Sequence, residues 1–65
     1  MKFRKIKDDV VECLTDDSKT LRGRIVKREA KDPWLFEPIP HLLYDVQELL
    51  EIVETLRLVN DGGLP

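Results

Sequence analysis

The sequence predicts an α+β domain in which a small antiparallel sheet of three strands is covered by one C-terminal amphipathic helix. Three observations support this two-layer β-β-β-α fold. Apolar residues follow a helical period after residue 41, they alternate with polar residues between positions 20 and 28, and turn residues separate the segments. A chain of 65 residues buries only about 60% of its unfolded surface, so we expect a single domain with one thin core.

The first strand is predicted over residues 10–15, whose sequence VVECLT is rich in residues that favour strands. Residues 2–9 are open to two interpretations, because Phe3, Ile6 and Val10 also match a helical spacing. We favour an extension of the strand, since a single helical turn without support is costly to nucleate.

The second strand is predicted over residues 20–28, after a polar turn at residues 16–19 that joins the first two strands in a hairpin. Alternation places Leu21, Gly23 and Ile25 on one face of this strand. The opposite face then carries four residues: Arg22, Arg24, Val26 and Arg28. We expect the first face to meet the core and the second to face solvent.

The third strand is predicted over residues 34–37, after a turn at residues 30–33. Pro38 stops it, because proline cannot continue a strand ladder. Trp34 and Phe36 alternate onto one face, which the helix must cover because an isolated sheet of this size is not stable. We expect these two rings to lie beneath four residues of the helical segment: Leu42, Val46, Leu49 and Val53.

The helix is predicted over residues 41–59, where apolar residues cover about half of the circumference at ~100° per residue. Pro40 suits the first helical position, and the sequence NDGG after Val59 suits a helix end. Residues 60–65 are expected to form a flexible tail. The apolar arc exceeds what a small sheet can cover, so we expect apolar area to remain at three edge residues: Ile52, Leu58 and Val59.

The cysteine and histidine content indicates a protein without catalytic or metal chemistry. Cys13 and His41 are single residues of their kind, and their separation matches neither a nucleophile pair nor a metal-ligand spacing. No glycine motif for binding phosphate is present. We therefore expect no enzyme activity, no metal and no cofactor, with Cys13 buried in a strand and His41 as a capping or solvated residue.

The same cysteine content predicts the compartment. A single cysteine cannot form an internal disulfide, and a free thiol favours a reducing environment, so we expect a cytoplasmic protein. The sequence contains no apolar run long enough for a membrane span or a secretory signal, and we expect no membrane partner. With Met1 at its start, we expect the chain to be a complete gene product.

Charge is divided unequally along the chain. Residues 1–31 carry ten bases and six acids, whereas residues 32–65 carry one base and seven acids. In the predicted fold this division becomes spatial and gives the sheet a cationic outer face around Arg22, Arg24 and Arg28. The helix then presents an anionic exterior at three glutamates: Glu48, Glu51 and Glu54. Charges of this kind also serve solubility alone, and that interpretation stays open.

Two functional hypotheses follow from these features. The first is a small non-catalytic protein-binding module, a regulator or inhibitor of a larger protein machine by analogy with small phage and mobile-element proteins, which binds through these charged residues and Leu58. A homo-oligomer is one form of it, since association adds core to a short chain. The alternative is a nucleic-acid-binding module that uses the cationic sheet face.

Overall fold

A computed structural model describes residues 1–62 of the chain. Four antiparallel strands lie side by side in chain order, and one helix follows them. The elements are β1 (Lys2–Lys7), β2 (Val10–Leu14), β3 (Leu21–Val26), β4 (Leu35–Pro38) and α1 (Val46–Asn60). The predicted α+β class and the C-terminal helix are confirmed, and the sheet has four strands where three were predicted.

The additional strand comes from residues 2–9, which do not extend β2 but fold back beside it. Asp8 and Asp9 form the turn between β1 and β2, and Phe3 lies opposite Cys13 in the resulting pair. Aspartate favours turns because its short side chain can bond to nearby backbone groups. The prediction of strand over helix is therefore confirmed for these residues, whereas a continuous first strand is wrong.

The core lies between the sheet and α1. Its central cluster consists of Val11 and Cys13 of β2, Ile25 of β3 and Val59 of α1, and Leu14 and Ile52 are also buried. Five residues pack against this cluster while keeping part of their surface exposed: Met1, Phe3, Trp34, Phe36 and Leu56. The predicted core positions of Trp34 and Phe36 are confirmed, and the Cys13 thiol is buried as expected.

Gly23 is necessary for this packing. A Cβ atom at this position would lie 2.6 Å from Cε1 and 2.8 Å from Cζ of Phe36, so the ring covers the bare glycine backbone. Phe36 is held there by an edge-to-face contact with Tyr44, whose ring centroid lies 5.9 Å away. The glycine thus allows an aromatic ring to approach the sheet backbone closely where the alternation predicts a core position.

The helix begins later than predicted, at Val46 rather than at residue 41. Asp45 is the N-cap: its side chain accepts a hydrogen bond from the Glu48 amide at 2.8 Å. The Glu48 carboxylate accepts one from the Asp45 amide at 3.2 Å, which completes a capping box. His41 is in a turn at φ 70°, so the chain before Asp45 does not continue the helix.

The segment before the helix is held by Tyr44 instead. The Tyr44 hydroxyl donates to the Arg22 carbonyl and accepts a hydrogen bond from the Ile39 amide at 3.1 Å. These bonds connect the segment before the helix to β3. Leu42 therefore lies outside the helix in which it was predicted. The tertiary contacts of one tyrosine therefore outweigh the helical periodicity of residues 41–45.

The end of the helix lies where the sequence predicts it. The Asp61 amide donates to the Arg57 carbonyl at 3.0 Å, and Gly62 adopts φ 79°, which few other residues tolerate. Asn60 is the last helical residue rather than part of a tail, because its side-chain oxygen accepts a hydrogen bond from the Trp34 amide at 2.7 Å. Residues 63–65 of the predicted tail lie outside the described residues.

The rotation of α1 about its axis differs from the prediction. Its buried residues are Ile52, Thr55 and Val59, two of which were expected at the edges of the covered face. Three residues predicted to cover the rings are instead exposed on the helix: Val46, Leu49 and Val53. Within residues 1–62, no helix combines the length and apolar character that a membrane crossing requires.

Candidate functional site

The outer face of the sheet carries a row of alternating charges. Arg4, Glu12, Arg24 and Glu37 are register partners across the four strands. An Arg4 nitrogen lies 2.8 Å from Oε1 of Glu12, and an Arg24 nitrogen lies 3.7 Å from Oε1 of Glu37. Each arginine of this row therefore has a carboxylate beside it, and the row is not the cationic surface that the sequence predicts.

Arg22 is turned away from this face by an irregularity in β3. The register shifts between Cys13 and Leu14, so that Arg22 is the extra residue between the partners of these two positions. A bulge of this kind re-aims a side chain, and the Arg22 guanidinium points to the helix instead of the outer surface. The predicted placement of Arg22 beside Arg24 is wrong for this reason.

The Arg22 guanidinium connects three parts of the chain. Its Nε and Nη2 atoms donate to the Glu48 carboxylate at 2.8 and 3.1 Å, and Nη2 also donates to the Leu43 carbonyl at 2.6 Å. The same group lies 5.1 Å from the centroid of the Tyr44 ring. This bidentate hydrogen bonding lowers the pKa of Glu48 and raises that of Arg22, so both stay ionised at neutral pH.

The predicted partner-binding residues therefore divide into two groups. The first group makes contacts within the chain: Arg22 and Glu48 form an ion pair between β3 and α1, and Glu51 lies 3.3 Å from the amino group of Met1. Arg28, in the connection before β4, and Glu54, on the helix, are exposed, and no ion pair among residues 1–62 includes either of them. Leu58 is exposed as predicted.

The most prominent surface feature is one that the charge pattern does not reveal. Val46, Leu49, Leu50 and Val53 form a row on α1 that points away from the sheet, and we name this row the outward stripe. Their exposed fractions are 72%, 46%, 52% and 42%. Leu43, just before the helix, is 89% exposed. Their spacing of three and four residues brings them onto one helix face over two turns.

A signal for this surface was present in the sequence. The apolar arc of the helix is wider than a small sheet can cover, which predicts uncovered apolar area. The periodicity could not predict the rotation of the helix, since apolar residues lie both in the stripe and on the buried face. The Asp45–Glu48 capping box and the Arg22–Glu48 pair orient Glu48 toward the sheet, and the stripe then faces outward.

Two further features have less chemical content. A shallow open depression of ≈ 370 Å³ lies beside the Arg24–Glu37 pair and is lined by Pro38, Ile39 and Pro40. Burial raises the pKa of the Cys13 thiol to about 12, so it is protonated and unreactive at neutral pH. Among residues 1–62, no three His, Cys, Asp or Glu side chains converge in a group suited to a metal ion.

Comparisons of the chain with protein-family models, with curated proteins and with solved structures found no match. A functional proposal for this chain therefore depends on its own residues and contacts.

Proposed function

We propose that this chain is a small non-catalytic protein-binding module whose docking surface is the outward stripe of α1. One observation carries the proposal: four apolar side chains in a row are 42–72% exposed on the single helix of the described chain. Burying such side chains fully is worth about 1.5–3 kcal/mol each, and about half of that remains available at each position. A continuous apolar face of this kind fits a groove or a second helix.

The attachment of α1 to the sheet at both of its ends also supports a docking role. The capping box fixes its start, Arg22 fixes its first turn to β3, and Asn60 fixes its last turn to Trp34. A partner thus meets a surface that is already ordered, and little conformational entropy is lost on binding. We propose that the module acts in the cytoplasm as a regulator or inhibitor, by occupying a surface on a larger assembly.

The nucleic-acid alternative receives less support from the geometry. It requires a cationic sheet face, whereas Arg22 is directed to Glu48 and both Arg4 and Arg24 lie beside carboxylates. We expect no shift of mixed DNA or RNA in a gel at low salt. A shift that weakens steeply with salt would contradict this expectation, because counterion release is characteristic of phosphate contacts.

The protein-binding proposal is tested with a matched pair of variants in affinity capture from the native host. Leu50→Glu places a charge in the outward stripe at a side chain that is 52% exposed, and Leu35→Glu makes the same change on β4 at one that is 48% exposed. We expect a partner captured by the wild-type chain to be lost with Leu50→Glu and retained with Leu35→Glu. Equal retention by both variants would refute the proposed docking surface.

A further inference from the structure

We infer that the occupant of the outward stripe is a second copy of this chain, docked through antiparallel pairing of the two α1 helices about a two-fold axis. This inference rests on the proposed function and names its partner. The spacing of the exposed residues, the distribution of charge at the two helix ends and the size of the apolar patch lead to it.

The spacing matches a seam between paired helices. Val46, Leu49, Val53 and Leu56 are separated by three, four and three residues, which is the a-d-a-d pattern of two coiled-coil heptads. The first three are exposed, and Leu56 lies at the border between the stripe and the core. When two such helices run antiparallel about position 51, Leu49 of one copy lies opposite Val53 of the other, and Val46 lies opposite Leu56. Each of these four apolar residues then meets another of the four, and Leu50 flanks the seam.

Charge at the helix ends selects the antiparallel direction. Asp45 and Glu48 lie at the start of the helix, and Arg57, its only base, lies in the last turn. Arg57 is exposed, and no ion pair among residues 1–62 includes it. Antiparallel pairing places the Arg57 end of each copy beside the Asp45 end of the other, whereas parallel pairing places the two Arg57 side chains together. The opposed helix dipoles favour the same direction.

The area of the patch agrees with a small symmetric interface. With Leu43, the outward stripe exposes on the order of 400 Å² of apolar surface, which is the size of patches that commonly serve as interaction sites. A standard interface covers about 800 Å² on each partner, with an apolar centre and a polar rim. The stripe provides that centre, and the exposed residues Gln47, Glu54 and Arg57 provide a rim. A chain of 65 residues also gains core by this association.

The first test is the mass of the full chain in solution, measured by sedimentation equilibrium over a range of concentrations. We expect the wild-type chain and Leu35→Glu to show the same monomer–dimer equilibrium. We expect Leu50→Glu to raise the dissociation constant by about 100-fold or more, because it buries an unpaired charge next to Leu49, at the edge of the seam. Circular dichroism of each variant confirms that it is folded. A wild-type chain that stays monomeric at millimolar concentration overturns the inference, and so does a dimer that Leu50→Glu leaves intact.

The second test determines the direction of the helices by disulfide formation. A chain with Leu49→Cys is mixed with a chain with Val53→Cys and oxidised, and the masses of the products are measured. Native Cys13 is buried and protonated, so it does not compete. We expect the mixed 49–53 product to exceed the two symmetric products several-fold. A predominance of 49–49 and 53–53 products would overturn the antiparallel arrangement.

The two proposals fail in different ways. If the chain is monomeric but a captured partner depends on Leu50, the second copy is wrong and the docking surface stands. If the chain neither dimerises through the stripe nor captures a partner that depends on it, both proposals are wrong.

Discussion

The inward and outward faces of α1 are built from similar side chains, yet one is buried and the other is exposed. Ile52 and Val59 lie against the sheet, whereas Leu50 and Val53 face away from it. The difference does not come from hydrophobicity, since Leu50 is as apolar as Ile52. It comes from hydrogen bonds at the two ends of the helix, where the Glu48 carboxylate accepts from Arg22 and the Asn60 side chain accepts from the Trp34 amide.

A wide apolar arc leaves the rotation of a helix undetermined, and a few directional bonds decide it. Hydrophobic attraction has no direction, so several rotations of α1 would bury a similar area. A bidentate arginine–carboxylate pair has a defined geometry and is satisfied by only one of these rotations.

The largest expected difference lies between Ile52→Ala and Leu50→Ala. Ile52 is 2% exposed, so its truncation leaves a cavity and lowers the free energy of unfolding by about 3 kcal/mol. Leu50 is 52% exposed, and its truncation changes that free energy by less than about 1 kcal/mol. Urea unfolding followed by circular dichroism, at protein concentrations low enough for the monomer, measures both. Equal losses would show that the two faces are not distinct in solution.

Gly23→Ala tests the packing on the inward side of the sheet. The added methyl group meets the Phe36 ring, and Gly23 has φ 152°, so we expect a loss of about 2 kcal/mol in the free energy of unfolding.

A double-mutant cycle with Phe36→Leu separates the two causes, because the smaller side chain relieves the contact but not the backbone strain. We expect a coupling of about 1 kcal/mol between the two substitutions. Strict additivity would mean that the ring does not restrict position 23. Gly62→Ala is the control. Gly62 also has a positive φ, of 79°, but a Cβ at this position would have no neighbour within 4 Å.

The buried thiol of the inward face predicts a loss of stability at alkaline pH. The pKa of Cys13 is raised from 9.0 to about 12 in the folded chain, so the folded state holds this proton more tightly than the unfolded state does. The stabilisation is complete below pH 9 and declines as the pH rises toward 12, by about 1.4 kcal/mol per pH unit.

The comparison with Cys13→Ala isolates this effect from the pH dependence of the rest of the chain. We expect the variant to lack this part of the slope when unfolding is measured in urea between about pH 8 and pH 10.5, a window of about 2.5 units that includes the ordinary thiol pKa. Parallel curves for the two proteins would contradict a buried neutral thiol.

The smallest predicted effect concerns the cap that orients the start of the helix. Asp45→Ala removes the acceptor for the Glu48 amide and lowers the free energy of unfolding by about 1 kcal/mol. Asp45→Asn keeps a capping oxygen, so we expect its stability to stay within a few tenths of a kcal/mol of the wild type. Thermal unfolding of both variants at low concentration measures the difference. Equal destabilisation by alanine and asparagine would show that the charge, rather than the cap, is responsible.

Much of the architecture is predictable from the sequence, and the candidate site is only partly so. Alternation identifies Ile25 and Gly23 as core-facing, and periodicity identifies a helix that ends near Asn60. The motif Asp45-x-x-Glu48 also marks the true start of the helix, although the preceding apolar periodicity predicts an earlier one. The predicted cationic face fails at Arg22, where an extra residue in β3 interrupts the alternation on which the prediction depends.

The sequence does not reveal β1 as a separate strand. It is sufficient to predict the other three strands from alternation, the C-terminal helix from its period, the turns from aspartate, glycine and proline, and an apolar arc too wide for the sheet. These are local properties, because each depends on residues that are near one another in the chain. The tertiary structure alone decided which part of the arc faces outward. That choice depends on Arg22 meeting Glu48 and Trp34 meeting Asn60, each pair 26 residues apart, and such contacts arise only when the whole chain has folded.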